Sequence, residues 1–270
     1  TLLIAHATAL AGKRIGVTTT HGVSIGGRVV HEGDCTGYWS HRAILSAPEV
    51  DMAVLETARG GLLKRGLAFD QCDVGVVLNV SNDHLGLEGV TTLADLAKLK
   101  GLVLDGAELV VASAGQRDTL MAAHDIPCTL AARARYNIAN ALAAAAALLG
   151  AGFSHDAIVA GLGTFVSDAK NNPLRTNIFD VRGVTVVVDY AHNPAAYASL
   201  ADMARAMSSG AVVGVVASPG DRRAEELQHT GRVCAEGFDK LVVYESTSRG
   251  RPYGDAANLI LGAALAASGN

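Results

Sequence analysis

Apolar positions fall in short β-branched runs separated by stretches with helical spacing. The runs at 14–20, 51–56, 74–79 and 108–113 predict strands. Short and apolar throughout, they fit buried parallel strands better than half-exposed ones. Between them, 1–11, 92–105 and 136–149 predict helices, the first stopping at Gly12. The apolar stretch 139–151 reads as a buried helix. Strands alternating with helices give an α/β layout, in which ligands gather at the carboxyl ends of the strands.

A polar, turn-rich break at Lys170-Asn171-Asn172-Pro173 opens a second unit. Strands are predicted at 184–189, 210–217 and 240–244, with helices at 197–207 and 224–237 between them. The expected domains are 1–171 and 172–270. A length of 270 residues exceeds the usual size of one domain. No internal repeat is evident.

Half of the residues are hydrophobic and 18% are charged, enough apolar material for large cores. Net charge is −4, which argues against a nucleic-acid partner. Cys35, Cys72, Cys128 and Cys234 form no Cys-x-x-Cys pair and read as reduced thiols rather than zinc ligands. No apolar run reaches the roughly 18 residues of a membrane span. The opening Thr1-Leu2-Leu3-Ile4-Ala5-His6 lacks the charged start of a signal peptide. A cytoplasmic protein without membrane or nucleic-acid partners is expected.

Candidate chemistry lies where the predicted strands end. Glu56 closes a strand and is followed by Arg59-Gly60-Gly61. Asn79-Val80-Ser81-Asn82-Asp83-His84-Leu85-Gly86 follows another. A carboxylate and an imidazole at one edge suit Mg²⁺ or Mn²⁺. Taken alone, a salt-bridged Glu–Arg pair and a helix-capping histidine are simpler readings. Lys98 and Lys100 near a helix end ordinarily just complement its dipole. Asp189-Tyr190-Ala191-His192-Asn193-Pro194 and Gly220-Asp221-Arg222-Arg223 also follow strands, where a turn closed by its own side chains is the plain alternative.

The order of these segments says more than any one of them. Thr18-Thr19-Thr20-His21-Gly22, Leu55-Glu56-Thr57-Ala58-Arg59-Gly60-Gly61, the Asn79–Gly86 segment, Lys98-Leu99-Lys100-Gly101, Asn137-Ile138-Ala139-Asn140-Ala141, the Asp189–Pro194 segment and Gly220-Asp221-Arg222-Arg223 succeed one another as in the Mur ligase superfamily, which the chain resembles. Thr36-Gly37-Tyr38-Trp39-Ser40 and Arg249-Gly250-Arg251-Pro252 bring it nearest to the ligase half of the cyanophycin synthetases. The resemblance covers nearly the whole chain.

That resemblance implies a parallel-sheet, P-loop-type central domain followed by a smaller Rossmann-like C-terminal domain. It implies an ATP- and Mg²⁺-dependent ligase that forms an amide through an acyl phosphate, joining an amino acid such as arginine to a poly-aspartate-like chain. By the same resemblance Glu56 and His84 are Mg²⁺ ligands, and Lys100 is the lysine that is often carbamylated, with Lys98 competing. Asn137 and Asn140 meet the adenine. Arg175, Asp189 and His192 lie at the nucleotide. Asp221, Arg222 and Arg223 lie near the amino-acid substrate. Members of the family often form homo-oligomers.

Several positions depart from the family pattern. The phosphate loop Gly-Thr-Asn-Gly-Lys-Thr-Thr is absent from the 270 residues, and the resemblance places it upstream of Thr1. The passage from Ala112 to Arg133 is shorter than in the family. His21 stands where the nearest relatives carry aspartate, and Ser246-Thr247-Ser248 replaces a more acidic stretch. Without a phosphate loop, a non-catalytic module that binds a peptide polymer is the alternative. A dehydrogenase fits poorly, since no Gly-x-Gly-x-x-Gly follows a strand.

Overall fold

The computed structural model describes residues 1–78, 90–105 and 120–269. The chain divides into two compact units, Thr1–Ala131 with Asn137–Val166, and Ala132–Tyr136 with Ser167–Asn270.

The first unit opens with helix α1 (Leu2–Leu10), then strands β1 (Ile15–Thr19), β2 (Gly22–Ile25) and β3 (Arg28–Glu32), helix α2 (Tyr38–Leu45), strand β4 (Met52–Leu55) and helices α3 (Arg59–Arg65), α4 (Leu93–Asp105), α5 (Arg135–Gly150) and α6 (His155–Thr164). One sheet runs in the order β3-β2-β1-β4. β1 and β4 are parallel, from Ile15 opposite Met52 to Thr18 opposite Leu55. β2 and β3 are antiparallel additions, so among the described residues the sheet is mixed rather than parallel throughout. The cause is local. Gly26 and Gly27 both have positive φ (57° and 80°), the geometry of a two-residue hairpin turn.

Alanine lets the helices approach closely. Leu3 and Ala7 of α1 pack with Ala141, Ala144, Ala145 and Leu148 of α5 and Ile158 and Leu162 of α6. A Cβ on Gly161 would lie 2.3 Å from the Ala7 Cβ, so only glycine permits this α1–α6 spacing. Residues 74–78, expected as a strand, belong to no ladder among the described residues. Strand propensity measures fit to a paired, half-buried surface. Here Val76, Val77 and Leu78 are exposed, and Val74 packs beside Gly150 at the end of α5. The expected strand at 108–113 lies outside the described residues.

The second unit holds a hairpin of β5 (Asn177–Val181) and β6 (Val184–Val188), then α7 (Pro194–Met207), β7 (Val213–Val216), α8 (Ala224–Gly237), β8 (Lys240–Val243) and α9 (Asp255–Ser268). β7 and β8 are parallel and joined through α8. Asn193 caps α7 by accepting from the Ala196 N–H at 2.9 Å, with Pro194 at the first helical position. The core joins Tyr197, Val216, Leu227, Cys234, Ala256 and Ile260. Gly231 lets α8 and α9 touch, since a Cβ there would lie 2.1 Å from the Ile260 carbonyl oxygen. Among the described residues no helix is long and apolar enough to cross a membrane.

Candidate functional site

In the first unit the site elements meet at the carboxyl ends of β1 and β4. Glu56 follows β4 directly, and its N–H donates to the Thr18 carbonyl at 3.1 Å, extending the parallel ladder by one bond. The residue as a whole is half-buried. His41 of α2, 1% exposed, bonds through Nε2 to the Glu56 carbonyl oxygen at 3.0 Å. A carbonyl only accepts, so this nitrogen carries the proton. Burial pulls the His41 pKa down against the opposing pull of that bond, which favours the neutral ring. Thr18 is fully buried, and its hydroxyl has no partner among the described residues.

The N-terminal end of α1 shares this edge. α3 starts three residues after Glu56 and abuts the loop before α2. A Cβ on Gly61 would come within 2.9 Å of the Thr36 carbonyl oxygen, so glycine is required there.

α4 begins with a reciprocal cap. The Thr92 hydroxyl donates to Asp95 at 2.7 Å, and the Asp95 N–H returns a bond to that hydroxyl at 3.1 Å. Lys98 and Lys100 are two residues apart and point to nearly opposite sides of the helix. Lys98 is exposed. Lys100 is half-buried and shares its face with Leu96, which is 1% exposed. At the start of α5, Asn137 donates to the Cys128 carbonyl at 2.7 Å and accepts from Asn140 at 3.2 Å. These bonds fix Asn137 and leave the exposed Asn140 as the group able to reach outward. His84 lies outside the described residues. Among the described ones, no three His, Cys, Asp or Glu residues converge on a metal position.

In the second unit, Asp189 sits just past β6 and accepts two bonds from Thr176, from the N–H at 2.8 Å and the hydroxyl at 3.2 Å. The Tyr136 hydroxyl lies 2.7 Å from the same Thr176 oxygen. Burial pushes the Tyr136 pKa up to about 12. Arg175 stacks on Tyr190 with its guanidinium carbon 5.5 Å from the ring centroid, and His192 meets the same ring edge-on. His192 Nδ1 is 2.9 Å from the Tyr190 carbonyl oxygen. Arg175, Asp189 and His192 therefore gather around one loop pair.

The Gly220–Arg223 segment forms a second cluster. Arg222 is 5% exposed and turns its guanidinium back on Asp221 at 3.3 Å. Arg223 pairs with Glu226 at 2.6 Å. Arg249, at φ 42°, holds the other Asp221 oxygen at 3.1 Å. Arg251 donates to the Gly220 and Arg222 carbonyls, both at 2.8 Å, and to Asp255 at 2.9 Å. Sequence reasoning overlooked His41, Tyr136, Thr176 and the part played by Arg251. Only Arg251 carried a signal, as part of Arg249-Gly250-Arg251-Pro252.

Comparison with known proteins adds to this geometry. Residues 174–268 match the Mur ligase glutamate ligase domain. Cyanophycin synthetase of Nostoc sp. is 38% identical over 315 aligned positions, spanning 96% of this chain and 35% of that protein. That of Synechocystis sp. is 36% identical over 316, spanning 97% and 36%. The chain thus spans about a third of the length of these relatives. The alignments exceed 270 positions, so the relatives carry residues with no counterpart here. Mycobacterium tuberculosis folylpolyglutamate synthase, solved with ADP and AMPPCP, superposes with a TM-score of 0.71 at 19% identity, over 99% of this chain and 76% of that one. A bifunctional folylpolyglutamate synthase/dihydrofolate synthase, solved with Mn, AMPPNP and L-glutamate, gives 0.68 at 20%, over 97% and 75%. These two establish the α/β fold, and the family match over 174–268 makes its C-terminal part a glutamate ligase domain. The chain belongs to the Mur ligase superfamily and is homologous to part of cyanophycin synthetase.

Proposed function

We propose that the protein is an ATP-dependent ligase that activates a carboxylate and joins it to an amine. Glu56, a half-buried residue whose backbone is held at the carboxyl edge of the parallel β1–β4 pair, carries this reading. The chain's alignment with cyanophycin synthetases over 96% of its length supports it. Arginine and a poly-aspartate-like chain are the substrates these relatives suggest. A P-loop-type first domain, a Rossmann-like second one, a cytoplasmic location and a homo-oligomer belong to the same reading.

The chemistry runs in two steps. A substrate carboxylate oxygen attacks the γ-phosphorus of ATP, and ADP departs with the electrons of the broken P–O bond. The amine nitrogen then attacks the carbonyl carbon of the acyl phosphate and gives up a proton. Inorganic phosphate leaves with the C–O electron pair, and the amide remains. The protein positions the reactants and offsets negative charge.

Mg²⁺ takes oxygen ligands from one or two carboxylates plus nucleotide phosphates, so the Glu56 oxygens fit it and His84 would complete its protein ligands. When bound, the ion would neutralise phosphate charge. Lys100 is the lysine suited to carbamylation, since it faces inward where Lys98 does not. Asn140 presents its amide to the adenine and Asn137 anchors it. Arg175, Asp189 and His192 serve the nucleotide. Arg222 acts through Asp221 on the amine side.

Phosphate release by the purified protein, with Mg²⁺, ATP, a poly-aspartyl primer and arginine or lysine in turn, tests the assignment. Release that requires the amine supports a ligase. A folded protein that binds the primer and releases no phosphate with any amine would be a non-catalytic polymer-binding module.

A further inference from the structure

Helices α2 and α3 carry no acidic residue and four basic ones, Arg42, Arg59, Lys64 and Arg65, in a chain of net charge −4. Among the described residues, Arg42, Lys64 and Arg65 form no ion pair, and all three are exposed. With no carboxylate on either helix, these charges make a locally positive surface that an anion can meet on an otherwise acidic protein.

Trp39 belongs to this surface and is 66% exposed. Its ring is backed edge-on by Tyr38 at 5.2 Å. The Arg65 guanidinium carbon lies 5.2 Å from the ring centroid. Stacking on the indole holds the guanidinium plane and leaves its N–H fork free to meet a carboxylate bidentately. Gly61 and Arg65 are four apart on one face of α3, and Gly61 abuts Gly37 at the start of α2, which brings Arg65 to Trp39. Arg42 lies one turn along α2 from Trp39. The surface adjoins the reacting edge, since His41 on α2 bonds the Glu56 carbonyl and α3 begins at Arg59. Of the nearby carboxylates, Asp34 is engaged with the Thr36 hydroxyl at 2.6 Å.

We propose that Trp39, Arg42, Lys64 and Arg65 form a binding face for a carboxylate-rich peptide chain, the acceptor, next to the edge where one of its carboxylates is activated. This deepens the ligase reading above and rests on it for the word acceptor. Single-stranded nucleic acid would also offer anions and stacking rings. The net charge of the chain and the single exposed ring on these two helices, where nucleic-acid platforms stack successive bases, favour the acidic peptide.

Trp39 is the only tryptophan in the chain, so its emission reports on this face directly. The purified protein is titrated with poly-L-aspartate oligomers, without ATP, at low and high salt. A saturable emission change that weakens with salt is expected. Arg65→Gln and Arg42→Gln should each weaken it by about fivefold or more, the scale of a charge-assisted contact. The far-ultraviolet spectrum of both variants should match the parent. An equal response to an oligothymidylate would overturn the peptide assignment. Binding seen by sedimentation with silent Trp39 emission and unchanged variants would place the peptide elsewhere. No binding by either method would refute the face itself. ATP turnover plays no part in these readouts, so a failed phosphate-release assay leaves them intact.

Discussion

His41 Nε2 lies 3.0 Å from the carbonyl oxygen of Glu56, and this bond ties helix α2 to the end of strand β4. The histidine is held neutral by burial, with a pKa below its ordinary value of 6.5. The unfolded chain takes up a proton near 6.5 that the folded one resists. Stability from this site is therefore complete above about 6.5 and is lost as pH falls through the lowered folded value. Thermal melts from pH 7.5 down to 5 should show a falling midpoint. His41→Gln, which keeps a donor and cannot titrate, should flatten that slope. An unchanged slope would mean that His41 does not set it.

The alkaline side has an opposite sign. Tyr136 is raised from 10 to about 12 by burial, and Tyr197, also buried, is raised as well. Both hydroxyls stay protonated in the folded state after the unfolded chain has ionised them. Their contribution is complete below pH 10 and is lost as pH climbs toward 12. Phenolate absorbance should show some of the six tyrosines titrating only as the fold gives way.

Asp189 satisfies Thr176, which is 2% exposed. Asp189→Ala leaves the buried Thr176 N–H unmet, with only Tyr136 left to the hydroxyl, and should cost about 1–3 kcal/mol in urea unfolding. Asp189→Asn retains an acceptor and should cost less. Comparable losses would show that charge rather than hydrogen bonding matters at this position.

Arg251 grips two carbonyls of the 220–222 turn, and Gly220 lies against the Ser248 carbonyl where a Cβ would sit at 2.1 Å. Arg251→Ala should destabilise by about 2–3 kcal/mol, since a charged donor group is lost and two carbonyls are freed. Lysine cannot reproduce the fork and should rescue only part of that loss. Gly220→Ala forces the loops apart and should cost about 1–3 kcal/mol. If calorimetry found Gly220→Ala neutral, the close approach of the two loops would be wrong.

Much of this was legible in the chain. β1, β4, β6 to β8, α1, α4, α5, α7 and α8 lie where hydrophobic periodicity put them, within a few residues. The β2–β3 hairpin was overlooked although Gly26-Gly27 between two apolar runs announces it. The β5–β6 turn at Arg182-Gly183 is a similar case. Residues 74–78 join no ladder among the described residues, and the run expected beside them at 108–113 lies outside those residues. Of the site, the strand-end carboxylates Glu56 and Asp189 were visible as residues that follow apolar runs. Their supports, His41 and Thr176, were not. Each is a single polar residue whose role depends on a contact 15 or 13 positions away. The choice of Lys100 over Lys98 as the inward lysine needed the helix phase and the burial of Leu96.

The central claim is that a substrate carboxylate is activated as an acyl phosphate. The most direct measurement is hydroxylamine trapping, with the protein, Mg²⁺, ATP and a poly-aspartyl primer but no amino acid. The account predicts ATP-dependent hydroxamate on the primer, reduced about a hundredfold or more in Glu56→Gln, the scale expected when a proposed ligand of the ion that offsets phosphate charge is removed. ATP consumption without hydroxamate, or hydroxamate undiminished in Glu56→Gln, would contradict it.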